Sequence, residues 1–184
     1  MNKPNKIITH TAVSQKYHTA EDVDIWHEQR WAGFTSKVFT NKAGEFWTVG
    51  YHIVIEYDGT IVHTRAYNEE GAHCIGQNTS SIGVCFMGNG DKHMPSPQQK
   101  ASWKKVYNLI YRAYPNISEH DTYPHRKYAN KTCHGSKLSD TYFADLLLPK
   151  GIEQQKKLIV KLQQQVISLM QLIIKKRMSL REKS

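Results

Sequence analysis

Residues 46 to 64 read FWTVGYHIVIEYDGTIVHT. Two β-branched and aromatic runs, Phe46 to Tyr57 and Thr60 to Thr64, are joined by the turn pair Asp58-Gly59, which predicts a hairpin. Downstream, Ser81 to Met87 (SIGVCFM) is continuously apolar and stops at Gly88-Asn89-Gly90. Its lack of alternation predicts a strand buried on both faces. Upstream, Lys6 to Thr9 (KIIT) reads as a further short strand that ends just before His10. Helical patterns lie between these runs. Thr19 caps a helix over Ala20 to Arg30, with Glu21 and Asp22 at the positive end of its dipole and Val23, Trp26 and Arg30 at helical spacing. Ser96 as N-cap, Pro97 as first helical residue and Gln99 at the capping-box position start another, whose apolar face is Trp103, Val106 and Ile110 and which ends at Tyr114-Pro115. Elements interleaved in this way predict an α/β fold, a mixed central sheet flanked by helices. Trp31 to Glu45 has little periodicity and reads as a loop.

Of the 184 residues, 39% are hydrophobic and 22% charged, enough for a core and against disorder. The length suits one domain with an appendage. No run reaches the roughly 18 to 20 apolar residues of a membrane-spanning helix. The start, MNKPNKIITHTAVS, lacks the apolar stretch and cleavage site of a signal peptide, so a cytosolic product is expected. Three cysteines, Cys74, Cys85 and Cys133, do not suggest a disulfide framework. The net charge of +9 is concentrated at one end: residues 150 to 184 hold nine basic side chains against Glu153 and Glu182, a net +7. A body so nearly neutral gives no reason to expect a nucleic-acid partner.

The composition changes at Leu148-Pro149-Lys150-Gly151, which divides a main domain, 1–148, from a basic helix, 149–184. Ile152, Ile159, Leu162, Val166, Leu169 and Ile173 follow a heptad with Gln155 and Lys176 at the outer d positions, as in a parallel two-stranded coiled coil. A homo-oligomer through residues 152–176 is therefore expected. Val160, Ile167 and Ile174 add a second stripe, so three or four strands, or a cationic amphipathic helix lying on anionic envelope lipid, are the competing expectations.

The segment from Pro124 to Gly135, PHRKYANKTCHG, has no apolar periodicity and reads as a loop. It holds His125, His134 and Cys133 among cations, a setting that biases a thiol towards thiolate. It could be a solvated basic loop, half of a structural zinc site, the nucleophile loop of a cysteine protease, or part of a catalytic zinc site. Structural zinc sites carry close pairs such as C-x2-C, and none exists here; three scattered ligands suit a catalytic zinc with an open fourth position better. The protease reading lacks a strand-to-helix setting for Cys133. His10, at the end of an apolar strand, lies where a rigid scaffold presents a ligand. His18, His27, His63, His93 and His120 sit in polar contexts, Cys85 reads as a core thiol, Cys74 has no metal spacing, and strand alternation turns His52 away from Tyr51.

Four stretches, IITHTAVS (7 to 14), GYHIVIEYDGTI (50 to 61), GAHCIGQNTSSIGVCFMGN (71 to 89) and HRKYANKTC (125 to 133), stand in an order that makes the resemblance specific. With the helices between them they cover residues 5 to 147. The chain resembles the zinc-dependent N-acetylmuramoyl-L-alanine amidases of the type 2 family, which includes phage lysozyme-type endolysins and the peptidoglycan recognition proteins. The resemblance implies Zn2+ held by His10, His125 and Cys133, catalytic roles for Tyr51 and Lys131, and a substrate groove lined by His73 and Asn78. Departures from the pattern are Pro124, where a glycine often precedes the ligand histidine, His134 in place of a proline, and a longer segment before Gly50. The implied reaction is hydrolysis of the amide between the lactyl group of N-acetylmuramic acid and L-alanine. Zinc would bring the pKa of water from about 16 to about 7, and Tyr51 and Lys131 would stabilise the oxyanion. The expected setting is an endolysin kept in the host bacterial cytoplasm until lysis and then acting on the cell wall. Competing expectations are a peptidoglycan-binding module without activity and a regulator of transcription through polymerase contact.

Overall fold

Two five-residue strands, both buried along their whole length, form the heart of the sheet. In this computed structural model, β1 (Ile7–Thr11) and β4 (Ile82–Phe86) are buried at every residue and pair in parallel, Ile7 opposite Ile82 and His10 opposite Cys85. β2 (Ile53–Ile55) lies parallel to β4 on its other side and returns through Asp58-Gly59 into antiparallel β3 (Ile61–His63). β5 (Thr122–Pro124) pairs in parallel with β1, giving a mixed sheet of order β3-β2-β4-β1-β5. The structure describes residues 1–148 and 150–181, with side chains of the last helix only over 159–175. The chain forms two compact units, residues 1–147 and 148–184.

Alternation along the strands sorts the side chains onto two faces. Ile7, Ile53, Ile55, Ile82, Val84 and Phe86 pack on Trp103, Val106 and Ile110 of α2 (Pro97–Ala113) and on Phe143 of α3 (Tyr142–Asp145). Phe86 and Phe143 stack at 4.1 Å, and Trp103 Nε1 donates to the Phe143 carbonyl at 2.8 Å. On the other face, Val54 meets Ala20 and Val23 of α1 (Ala20–Trp31) together with Trp47, Val49 and Met87. The capping box at Ser96 and Gln99 forms, and the Gln99 amide also donates to the carbonyls of Ile55 and Met87, tying α2 to the sheet.

Three expectations change. β1 runs through Thr11, so His10 stands inside the strand, paired with Cys85 of β4 and one residue past the last pairing with β5. Of Phe46 to Tyr57 only Ile53–Ile55 joins the sheet, Phe46 making a lone antiparallel bridge to Thr40; residues 50–52 bend where Gly50 crosses Ala72, and a Cβ on Gly50 would lie 2.4 Å from the Ala72 carbonyl oxygen. Alternation fails in a bend, so the rings of both Tyr51 and His52 approach His73, at 6.3 and 5.7 Å. The unperiodic Trp31 to Glu45 is held by charged side chains. Buried Arg65 donates to the carbonyls of Phe34, Thr35 and Val49, and the Glu69 carboxylate accepts from Ser36 Oγ and the Lys37 and Ala66 amides.

In the second unit, α4 (Lys150–Arg181) is one helix, and the ten large apolar side chains between Ile159 and Ile174 are 50 to 63% exposed. No helix among the described residues is long and apolar enough to cross a membrane. Pro149, Glu182 and Lys183, and the side chains of Lys150, Ile152, Glu153, Gln155, Lys156, Lys157, Leu158, Lys176, Arg177 and Arg181, lie outside what is described.

His52 makes the fold sensitive to acid. Its buried ring accepts from the Gly83 amide at Nδ1 and donates from Nε2 to the Glu69 carbonyl, both at 3.0 Å. A second proton would set two N–H groups against each other. Burial brings its pKa down from 6.5 to about 4. The unfolded chain takes up this proton first as pH falls. The stabilisation is therefore complete above pH 6.5 and lost progressively between 6.5 and 4, by about 3 kcal/mol for this group. Urea unfolding between pH 7.5 and 4.5 should show the loss, and His52→Asn should have a shallower pH dependence than the parent.

Candidate metal centre

His10, His125 and Cys133 come from three places: the C-terminal end of β1, the 3-10 turn His125–Lys127 after β5, and the loop beyond it. Their donor atoms nevertheless lie within 4.8 Å of one another. His10 Nδ1 is 3.6 Å from Cys133 Sγ, and the His10 and His125 rings are 4.6 Å apart. Adjacent nitrogen and sulfur corners of a tetrahedral zinc are about 3.6 Å apart. Two imidazoles and a thiol fit zinc; a hard cation would call for carboxylates, and this set has none.

The protonation states follow from burial. His10 is held well below its ordinary pKa by burial and then by the neighbouring His73 and His125; burial, with Lys131, lowers His125 as well. Both rings therefore keep a lone pair for a metal at neutral pH. Cys133 departs from expectation. Burial pushes its thiol up to about 11, outweighing the hydrogen bond to Thr11 and the charge of Lys131. Cations in the same loop do not make it a thiolate; a cation bound at the site would.

The loop that carries Cys133 uses its charge on its own backbone. Arg126 donates to the carbonyls of Thr132, Gly135 and Leu138 and to Asp140 Oδ1, and its amide bonds the Cys133 carbonyl at 2.6 Å. His134 is buried, with Nδ1 2.7 Å from Thr9 Oγ1 and Nε2 3.1 Å from the Ser139 carbonyl. Gly135, at φ 121°, lies against Gly90 so closely that a Cβ on it would sit 2.3 Å from the Gly90 carbonyl carbon.

A cleft of about 530 Å3 runs past the three donors. Tyr51 and Lys131 line it, as do His73 and Asn78. The Tyr51 ring is 4.9 Å from that of His10, and burial raises its pKa well above 10, so it stays a protonated donor. Asn78 is engaged locally: its Oδ1 accepts from the amides of His73 and Cys74 at 3.0 and 2.8 Å.

A sequence model of the N-acetylmuramoyl-L-alanine amidase family matches residues 1–136. The chain belongs to the N-acetylmuramoyl-L-alanine amidase family. It is similar to an endolysin of Enterobacteria phage K11, 36% identical over an 84-residue alignment, with coverage of 41% of this chain and 56% of the relative. The chain spans about half the length of the curated relatives it matches. Among solved structures it is similar to the N-acetylmuramoyl-L-alanine amidase LysC from Clostridium intestinale URNW, with a TM-score of 0.63, 27% identity, and coverage of 79% of this chain and 83% of that one. Drosophila PGRP-LB shares the fold, with a TM-score of 0.60, 20% identity, and coverage of 79% and 81%.

Within this amidase domain, sequence reasoning passed over one cleft residue of note. His27 accepts from the Gly50 amide at 2.9 Å and, with Arg30 and Trp31, forms one wall of the cleft. The signal was in α1: positions 20, 23, 24, 27 and 31 share a face, whereas Trp26, which stands at helical spacing from Val23 and Arg30, is 38% exposed. The anchoring of the Cys133 loop yields a prediction. Arg126→Ala should destabilise the amidase domain by about 2 to 3 kcal/mol and weaken zinc retention, measured by urea unfolding and chelator competition. Unchanged retention would mean that the loop holds Cys133 without the guanidinium.

Proposed function

We propose that the chain is a peptidoglycan hydrolase, an endolysin that cuts the amide between the lactyl group of N-acetylmuramic acid and L-alanine with zinc held by His10, His125 and Cys133. The carrying observation is the convergence of two imidazoles and a thiol at metal-ligand spacing beside a cleft of about 530 Å3. Zinc bound there supplies Lewis acidity and a nucleophilic water at neutral pH. The protein groups do the rest. Tyr51, kept protonated by burial, donates a hydrogen bond towards the scissile carbonyl oxygen as negative charge develops on it. Lys131 brings a positive charge to the same cleft. Trp31, Tyr128 and Ile75 offer apolar contact for sugar and stem peptide. The presence of Tyr51 and Lys131 on the cleft, beside a complete donor set, favours hydrolysis over mere binding. As an endolysin the chain waits in the host bacterial cytoplasm and acts on the wall at lysis.

We also propose that α4 joins copies of the chain. At about 100° per residue, nine of the ten exposed apolar side chains between Ile159 and Ile174 fall in an arc of about 180°. Val160, Ile167 and Ile174 lie outside the seam of a two-stranded coil, so a bundle of three or more helices covers the arc better.

Digestion of purified peptidoglycan should release new alanine N-termini, chelation should abolish this, and zinc should restore it. Retention on the wall without new termini would point to a binding module. Tyr51→Phe and Lys131→Ala should each lower turnover about 100-fold or more with zinc content unchanged; loss of metal in either would reassign that residue to holding the site together. Light scattering should give the intact chain a multiple of its monomer mass and a 1–148 truncation the monomer mass. Two monomeric masses would remove the bundle, and sedimentation of the monomer with anionic vesicles would put lipid in its place.

A further inference from the structure

His73 was expected in the substrate groove, yet both of its ring nitrogens are engaged inside the protein. Its Nδ1 is 3.1 Å from His10 Nε2, and its Nε2 is 3.5 Å from Ser81 Oγ. Only 8% of the residue is exposed. The proton positions can be followed from the far end. Ser81 Oγ donates its one hydrogen to the Gln77 carbonyl at 2.7 Å, so towards His73 it can only accept. The His73 proton therefore sits on Nε2, which leaves Nδ1 as an acceptor. His10 must then carry its own proton on Nε2, and His10 Nδ1, the atom 3.6 Å from Cys133 Sγ, is left with a bare lone pair.

The ring is also confined. A Cβ on Gly71 would lie 2.5 Å from His73 Cδ2, and one on Gly83 would lie 2.6 Å from both Cδ2 and Cγ. Asn78 holds the amides of His73 and Cys74, which fixes the backbone that delivers the ring.

We propose that His73 is a positioning residue: through the chain Gln77 carbonyl, Ser81, His73, it locks His10 in the tautomer that presents Nδ1 to the metal. This rests on the reading of His10, His125 and Cys133 as metal ligands. A partner of this kind holds the ligand ring in orientation and raises its basicity, and its loss typically costs about 10- to 100-fold in metal affinity.

The test measures zinc dissociation constants by chelator competition in the full chain and reads the His10 tautomer by imidazole 15N NMR of the metal-free protein. His73→Ala should weaken zinc binding about 10- to 100-fold and let the His10 proton distribute over both nitrogens. His73→Asn, whose Oδ1 can replace Nδ1 as acceptor, should recover most of the affinity and restore the Nε2–H form. Gly83→Ala, which crowds the ring without removing it, should act in the same direction as His73→Ala. Unchanged zinc affinity and tautomer in His73→Ala, with a raised KM for peptidoglycan, would overturn the proposal and return His73 to substrate contact. If the parent chain binds zinc no better than His10→Ala and Cys133→Ser variants do, the ligand assignment itself fails, an outcome the parent measurement separates from the first.

Discussion

The register of β1 against β4 is the constraint on which the site depends. With Ile7 opposite Ile82 and His10 opposite Cys85, Ile7 faces α2 and His10 faces the cleft. Side chains alternate with a period of two, so a slip of one residue would turn His10 into the apolar layer of Trp103 and Phe143 and bring Ile7 to the other face. The packing that fills one face thereby aims the imidazole on the other. A side chain on a strand residue paired with Cys85 has little freedom, which suits the metal-ligand role proposed for His10.

Several histidines in this fold are held neutral by what surrounds them. His52 joins Gly83 to Glu69, and His134 lies between Thr9 and Ser139; burial brings both to about 4. In each case one nitrogen faces a donor and the other a carbonyl, so the tautomer is set by groups that cannot change protonation. These two buried rings thus serve as uncharged polar struts within the fold, while His10 and His125 are the two whose lone pairs converge with a sulfur.

The cations of the 124–135 segment have a similar lesson. Arg126 spends its donors on three carbonyls and one carboxylate, satisfying a tightly folded loop that has few backbone partners of its own. Its contribution to Cys133 is therefore to place it; burial governs the thiol and leaves it protonated until a cation binds.

Much of this was legible in the sequence because it rests on local rules: the Asp58-Gly59 turn, the capping box at Ser96, the unbroken apolar run at residues 82–86, and the four ordered motifs that mark the family. The donor residues were legible for the same reason, each standing in a recognisable segment. The three-residue strand at Thr122–Pro124 was too short to show a period, and the bend at residues 50–52 comes from a crossing with Ala72, 22 residues away. The state of the Cys133 thiol and the engagement of both His73 nitrogens depend on dielectric surroundings and on partners distant along the chain. By itself the sequence determined which elements form and which chemical groups are available. Tertiary structure alone decided which of those groups meet, which are sealed from water and which nitrogen carries the proton, because burial and hydrogen-bond partners are properties of packing and not of any one segment.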